Sequence, residues 1–195
     1  MDGQQDAINK CISRQALEVA RLESIFNDLF KCSEATILCS GAEEPLYLPA
    51  SETGGLHTIF STRDYVSSAL HEISHWCIAG EARRQLVDYG YWYEPDSRTA
   101  DQQHQFELVE VKPQALEWLF TEACAQVFRL SVDNINQPDV RASAAFRNNV
   151  HTQALFYLEH GLPGRAERFL QALLANFQPD EPVLKKSAFQ LSLLN

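Results

Sequence analysis

The chain has 195 residues, of which 45% are hydrophobic, and its 16 basic and 26 acidic residues give a net charge of −10. A hydrophobic fraction of this size can form a sizeable core, so we predict one folded domain spanning residues 1–195 and exclude a disordered or fibrous protein. An acidic surface repels phosphate groups, which argues against nucleic acid or an anionic membrane as the main partner.

Apolar spacing and turn residues predict a helix, a small sheet and a second helix in the first eighty residues. Residues 13–31 repeat apolar side chains every three or four positions, which is typical of an amphipathic helix. Three short apolar runs follow between Pro- and Gly-rich turns and are predicted as strands: Thr36–Cys39, Leu46–Leu48 and His57–Phe60. The second helix is predicted from a capping box at Ser61 and Asp64 to Ala79, with Gly80 ending it.

The second half of the chain is predicted to be mainly helical. The aromatic-rich segment 86–95 is predicted to be strand or loop. Pro113 suits the first turn of a helix, so a third helix is predicted from Pro113 to about Ser131. Two more helices are predicted at about Ala142–His160 and Pro163–Phe177. Together these patterns predict an α+β fold that is dominated by helices and contains a small sheet.

The N-terminal sequence and the cysteines indicate the compartment. Residues 1–7 lack the basic start of a secretory leader, and no stretch reaches the ~18 apolar residues that a membrane helix needs. The 5 cysteines are scattered and never spaced Cys-x-x-Cys, which argues against a disulfide framework or a thiolate zinc site. We therefore expect a cytoplasmic protein whose cysteines are reduced and pack as small hydrophobic side chains.

The motif that indicates chemistry lies in the second predicted helix, where the sequence reads His71-Glu72-Ile-Ser-His75. Histidines four residues apart lie about 40° apart around a helix axis and roughly 6 Å apart along it, so both can reach one metal ion. Glu72 lies about 100° from His71, which is too far round for a ligand but next to the open position of the metal. We predict His71 and His75 as metal ligands and Glu72 as the group that accepts a proton or orients the substrate. A chance match on a polar helix face is the alternative.

Two nitrogens leave a metal site incomplete, so a third ligand, a carboxylate, is expected from elsewhere in the chain. A third histidine in the metalloprotease pattern is disfavoured, because Ile78 and Glu81 occupy the required glycine and histidine positions. Glu122 is the preferred ligand, since small neighbours allow its helix to approach closely. Glu117 is the rival, but about 140° separates the two around the helix, so they cannot both face the metal. Bonding distance from the metal to Glu81, Glu110 or Glu117 would overturn the choice of Glu122.

The predicted ligands do not select the metal. Two histidines and one carboxylate serve both hydrolytic zinc and oxygen-activating iron(II). No histidine is followed two residues later by an acid, as in many 2-oxoglutarate oxygenases. The sequence also lacks a glycine-rich dinucleotide loop, a P-loop and a nucleophile elbow. Flavin, nicotinamide and nucleoside triphosphates are therefore unsupported as cofactors.

Three blocks of sequence go beyond this short motif: Leu70-His-Glu-Ile-Ser-His-Trp-Cys-Ile-Ala-Gly-Glu-Ala-Arg-Arg84, Val87-Asp-Tyr-Gly-Tyr-Trp-Tyr-Glu-Pro-Asp96 and Glu117-Trp-Leu-Phe-Thr-Glu-Ala-Cys-Ala-Gln126. They resemble the bacterial elongation factor P hydroxylase family over most of the chain. The resemblance implies a zincin-like fold, similar to metalloproteases. It also implies a site of two histidines and one carboxylate, matched here to His71, His75 and Glu122.

The resemblance implies an enzyme that hydroxylates the lysine of elongation factor P already bearing a β-lysyl group. We expect iron(II) and dioxygen to be used, with zinc as the alternative metal. Such a lysine is long and cationic, so aromatic side chains and carboxylates are expected along its channel, and segment 88–96 offers both. Alternating aromatics equally suit a strand packed in the core. The rival hypotheses are a zinc metallopeptidase in which Glu72 activates water, and a non-catalytic zinc domain that binds a translation factor.

Overall fold

The structure is a computed structural model that describes residues 2–63, 65–90, 98–132 and 141–194, with the side chains of the first helix described from Gln15 onward. The chain divides into two compact units, Met1–Gly90 and Tyr91–Asn195. Helices dominate and the sheet is small, which confirms the predicted α+β class. One domain over residues 1–195 stays a prediction.

Helices flank a small sheet in the first unit. Its elements are α1 (Asp2–Phe30), β1 (Thr36–Ala42), β2 (Leu46–Leu48), α2 (Ala50–Thr53), β3 (His57–Thr62) and α3 (Val66–Ile78). Strand β3 lies in the centre of the sheet, parallel to β1 and antiparallel to β2. The three predicted strands are confirmed, and α1 is longer than the helix predicted for residues 13–31.

Helix α3 begins after the capping box predicted at Ser61 and Asp64, so that prediction is wrong. Ser61 is a buried residue of β3, and Asp64 lies outside the described residues. The N-cap residue of α3 is Tyr65, whose side chain makes no cap hydrogen bond. Instead, the hydroxyl of Ser68 accepts a hydrogen bond from the backbone N–H of Thr62 at 2.9 Å. This contact joins the first turn of α3 to the end of β3.

Aromatic packing fixes α3 against α1. Trp76 is fully buried, and its ring centroid lies 5.1 Å from that of Phe26 and 4.7 Å from that of Phe30. Both pairs meet edge to face, which is a favourable arrangement of aromatic rings. Because Trp76 packs against two rings of α1, it sets the rotation of α3 about its own axis.

The second unit is helical in its described part. It contains α4 (Ala100–Ala123), α5 (Ala144–His160) and α6 (Gly164–Phe177), and α4 packs against both of the others. The helices predicted at residues 142–160 and 163–177 are confirmed. In the part of the chain that the structure describes, no helix combines the length and the apolar character needed to cross a lipid bilayer.

The helix predicted to begin at Pro113 begins much earlier and ends sooner. Thr99 opens α4 with a complete capping box, in which Thr99 and Gln102 exchange side-chain to backbone hydrogen bonds of 3.3 and 2.8 Å. Pro113 lies inside this helix, and the helix ends well before Ser131. Proline lacks the N–H that a helix interior uses, so its presence at position 113 argued for a helix start. The rest of α4 is stable enough to tolerate it.

A short turn at Val87–Gly90 has two residues in an uncommon backbone conformation. Asp88 and Tyr89 have φ angles of 48° and 58°, in the left-handed region that side chains disfavour. A carboxylate oxygen of Asp88 accepts a hydrogen bond from the backbone N–H of Tyr47 at 2.9 Å. The ring of Tyr89 stacks on that of Tyr47 with 4.2 Å between centroids. Contacts from β2 therefore hold the turn in this conformation.

We predict that Asp88→Ala lowers the free energy of unfolding by about 1–3 kcal/mol, because alanine lacks the acceptor for Tyr47 and disfavours a positive φ. Asp88→Asn keeps an acceptor oxygen and tolerates that φ, so it should change the free energy by no more than about 0.5 kcal/mol. Urea denaturation followed by circular dichroism measures both variants. An equal loss in both would show that the charge of Asp88 stabilises the turn, and not its acceptor oxygen.

Candidate metal centre

Helix α3 brings the two predicted histidine ligands side by side. His71 is half-buried, and His75 is buried at 6% exposure. Their Nε2 atoms are 3.2 Å apart and their ring centroids 4.8 Å apart. The four-residue spacing predicts this proximity, since residues i and i+4 are neighbours on a helix surface. Their role as ligands stays a prediction.

The separation of the two Nε2 atoms fits a shared metal ion. Two nitrogens that each lie about 2.1 Å from one metal are roughly 3.0–3.4 Å apart when the angle at the metal is between octahedral and tetrahedral. The observed 3.2 Å falls within that range. A hydrogen bond from one neutral imidazole to the other needs a similar distance, so a further ligand has to distinguish the two arrangements.

A buried carboxylate is a candidate for that further ligand. Among the described residues, His71, His75 and Glu110 each offer one ligand atom, and these three atoms lie within 4.8 Å of one another. Glu110 is 1% exposed, and a buried carboxylate is costly unless it is paired or bound to a metal. Two imidazole nitrogens and a carboxylate oxygen are a donor set that both zinc and iron(II) accept. This group could hold a metal ion.

The carboxylate of Glu110 is oriented by a neighbour on α4. The side-chain amide of Gln114 donates to Glu110 at 3.2 Å and to the backbone carbonyl of Ser131 at 2.8 Å. The Oε1 atom of Gln114 accepts from the N–H of Ser131 at 3.0 Å. Gln114 is therefore fixed at both ends of its amide. Partners of this kind commonly orient the carboxylates that bind metals.

Glu110 was not the preferred ligand in the sequence prediction, and a helix starting at Pro113 leaves it outside. In the continuous α4, buried polar residues follow one face at spacings of three and four: Glu107, Glu110, Gln114, Glu117 and Thr121. Acidic residues are rarely buried without a partner, so this spacing is a functional signal. Reading Thr99 and Gln102 as a capping box would have extended the helix and revealed the stripe.

Glu107, the first residue of this stripe, has a structural role. Its carboxylate accepts hydrogen bonds from the backbone N–H and the hydroxyl of Ser143, at 3.1 and 2.6 Å. The same hydroxyl accepts from the N–H of Phe146 at 3.0 Å and so caps α5. The Glu107 carboxylate therefore stabilises the start of α5 within the second unit.

Glu122, the predicted third ligand, lies on another side of α4. It follows Glu110 by twelve residues, which corresponds to about 120° around the helix axis. Its side chain is half-buried, and burial raises the pKa of its carboxyl. Glu117, the rival, is 6% exposed and shares the face of Glu110. The assignment of Glu122 as a ligand stays a prediction.

Two further side chains of the first unit lie close to the histidine pair. Tyr89 is 4% exposed, and its ring is nearly parallel to that of His75, with 13° between planes and 6.5 Å between centroids. Burial raises the pKa of Tyr89 well above its usual range, and the charge of Glu72 raises it further. The hydroxyl of Tyr89 is therefore protonated at neutral pH and within electrostatic reach of Glu72.

The ring of Tyr89 stacks on that of Tyr47, which is itself fixed by hydrogen bonds. The Tyr47 hydroxyl donates to the backbone carbonyl of Arg84 at 2.7 Å and lies 2.8 Å from Nδ1 of His57. Segment 88–96 was predicted to line the substrate channel, and within it the structure describes residues 88–90. Residues 91–96 lie outside the described part of the chain.

Comparison with known proteins identifies the family. The sequence profile of the elongation factor P hydroxylase family matches residues 25–189, a range that includes α3 and α4. The chain is 44% identical to the elongation factor P lysine hydroxylase of Haemophilus influenzae over 160 residues. The matched region covers 82% of this chain and 89% of that protein. The chain belongs to the elongation factor P hydroxylase family.

Proposed function

We propose that this protein hydroxylates a lysine side chain of elongation factor P at a divalent metal ion. The family and the name of the Haemophilus influenzae relative support the reaction and the substrate. The observation that supports the site is the proximity of three ligand atoms, from His71, His75 and Glu110, within 4.8 Å of one another. The rival hypothesis of a zinc metallopeptidase gains no support from the relatives.

We assign Glu110 as the third metal ligand in preference to Glu122. Its carboxylate is almost fully buried and is oriented by Gln114. Glu122 is half-buried, and its azimuth on α4 differs from that of Glu110 by about 120°. A helix that directs Glu110 towards one metal ion therefore directs Glu122 elsewhere.

Iron(II) is the proposed metal. When bound, it supplies the redox chemistry by which dioxygen is activated, and zinc has no redox chemistry to offer. Three protein ligands leave coordination positions open for small ligands. The docking of Trp76 fixes the rotation of α3, and with it the face of the helix on which His71 and His75 lie.

Glu72 is the proposed proton acceptor. It is half-buried on α3, directly after His71, and does not belong to the group of three ligand residues. Its azimuth is about 100° from His71, which places it beside the metal position without competing for it. A carboxylate in that place can accept a proton or orient the substrate amine.

The finer proposals concern the state of the substrate, the location and the core. The substrate lysine is proposed to bear a β-lysyl group already. This extension makes the side chain long and cationic, so aromatic and acidic side chains can bind it. A translation factor as substrate supports a cytoplasmic location. A histidine-bearing helix beside a small sheet supports the zincin-like core that the family resemblance implies.

We predict that the iron(II)-loaded protein, supplied with dioxygen and a two-electron reductant such as ascorbate, adds one oxygen atom to β-lysylated elongation factor P while the other oxygen atom is reduced to water. The unmodified factor is expected to react at least tenfold more slowly. The physical reason is the loss of the cationic extension that the site recognises. Mass spectrometry of both factors after incubation measures the gain. No oxygen in either factor would contradict the proposed function, whereas equal gain in both would contradict the requirement for the β-lysyl group.

His71→Ala and His75→Ala should each lower iron(II) affinity by about 100-fold or more, because each removes one of three ligands. Glu72→Gln should retain the metal and reduce turnover by about 10²–10⁴-fold, since it removes a proton acceptor and no ligand. Metal content after dialysis and single-turnover assays separate the two effects. Metal loss in Glu72→Gln as complete as in the histidine variants would make Glu72 a ligand.

Glu110→Ala and Glu122→Ala form a matched pair on one helix. We predict that Glu110→Ala lowers metal affinity by about 100-fold and that Glu122→Ala leaves it within about threefold, because only one of the two azimuths fits the site. Competition titration against a chromophoric chelator measures both affinities. The reverse order would restore Glu122 as the ligand, and circular dichroism checks that both variants fold.

A further inference from the structure

The hydroxyl of Tyr89 is buried and makes no hydrogen bond within the described part of the chain. Buried polar groups nearly always have a partner, because leaving one unpaired costs free energy. An unpaired hydroxyl on a ring that lies parallel to that of the candidate ligand His75 therefore indicates a partner that binds there.

The chain holds this hydroxyl in place at a conformational cost. Tyr89 has a φ of 58° and follows Asp88, with a φ of 48°. Such conformations persist where surrounding contacts enforce them, and they are frequent at functional sites. Here the stack on Tyr47 and the hydrogen bond from Tyr47 to Asp88 enforce them. The ring of Tyr89 is thereby kept nearly parallel to that of His75.

We propose that the Tyr89 hydroxyl donates a hydrogen bond to the small ligand that binds the open coordination position of the metal at His71 and His75. This inference rests on the metal centre proposed above. Ligands at such positions are anions or polarised oxygen species, and both accept hydrogen bonds strongly. Tyr89 touches that ligand and is in this sense a catalytic residue, distinct from Glu72, which accepts a proton.

Tyr47 provides a matched control. Its ring packs on Tyr89, but its own hydroxyl is already hydrogen-bonded to the carbonyl of Arg84 and lies beside His57. Removing the Tyr47 hydroxyl should therefore reduce stability. Removing the Tyr89 hydroxyl should not, since it makes no hydrogen bond to the described residues.

The test uses the cobalt(II)-loaded full-length protein and azide as the probe anion. Azide is titrated into the wild type, Tyr89→Phe and Tyr47→Phe, and its binding is followed by visible absorption of the cobalt ion. We expect Tyr89→Phe to bind azide about tenfold more weakly, equivalent to about 1.4 kcal/mol. Its cobalt affinity and melting temperature should stay at the wild-type values. Tyr47→Phe should bind azide within about threefold of the wild type and melt about 2–4 °C lower.

The other outcomes distinguish a failure of the inference about Tyr89 from a failure of the proposed metal centre. Azide affinity in Tyr89→Phe within twofold of the wild type would overturn the inference and leave the metal centre intact. A lower melting temperature for Tyr89→Phe with unchanged azide affinity would assign the hydroxyl a structural role and also overturn it. Absence of cobalt binding in the wild type would overturn the proposed metal centre, and the inference with it.

Discussion

The docking of Trp76 between Phe26 and Phe30 is the contact on which the candidate site depends. A helix can in principle pack in any rotation, and a change of one residue turns every side chain by about 100°. Such a change would exchange the places of His71 and Glu72. The aromatic cluster excludes it, because no other side chain of α3 has the size and shape to fill the same position between the rings. Packing in the first unit thus fixes the direction in which α3 presents His71 and Glu72.

Burial of acidic side chains is the second physical constraint. Helix α4 buries Glu107, Glu110 and Glu117 along one face, where charged groups are stable only with partners. Glu107 accepts hydrogen bonds from Ser143 at the start of α5, and Glu110 accepts one from Gln114. The same feature, a carboxylate removed from water, serves to cap a helix at one position and to offer a ligand atom at another. The function of each carboxylate is set by its neighbours and not by its residue type.

The parts of the fold predicted correctly are those that neighbouring residues determine. The histidine pair, the three strands and helices α5 and α6 follow from spacing within one element. The start of α4 was missed because a local rule about Pro113 was overridden by the stability of the surrounding helix, which tolerates a cost of about 3 kcal/mol. That error left Glu110 outside the helix from which the third ligand was chosen. The place of Tyr89 beside His75 depends on a positive φ and on contacts with Tyr47, which no sequence pattern encodes.

The left-handed backbone at Asp88 and Tyr89 has a consequence for protein engineering. Programmes that raise thermal stability commonly place glycine where φ is positive, because glycine adopts that region without strain. At Tyr89 this substitution would relieve the backbone but remove a buried ring that stacks on Tyr47 and lies nearly parallel to His75. Losing a buried ring costs more than a strained φ does, so glycine at this position would lower the stability of the protein. A stabilised form of the enzyme should be sought on its exposed surface, for example at Leu17 or Val183, where no such conflict arises.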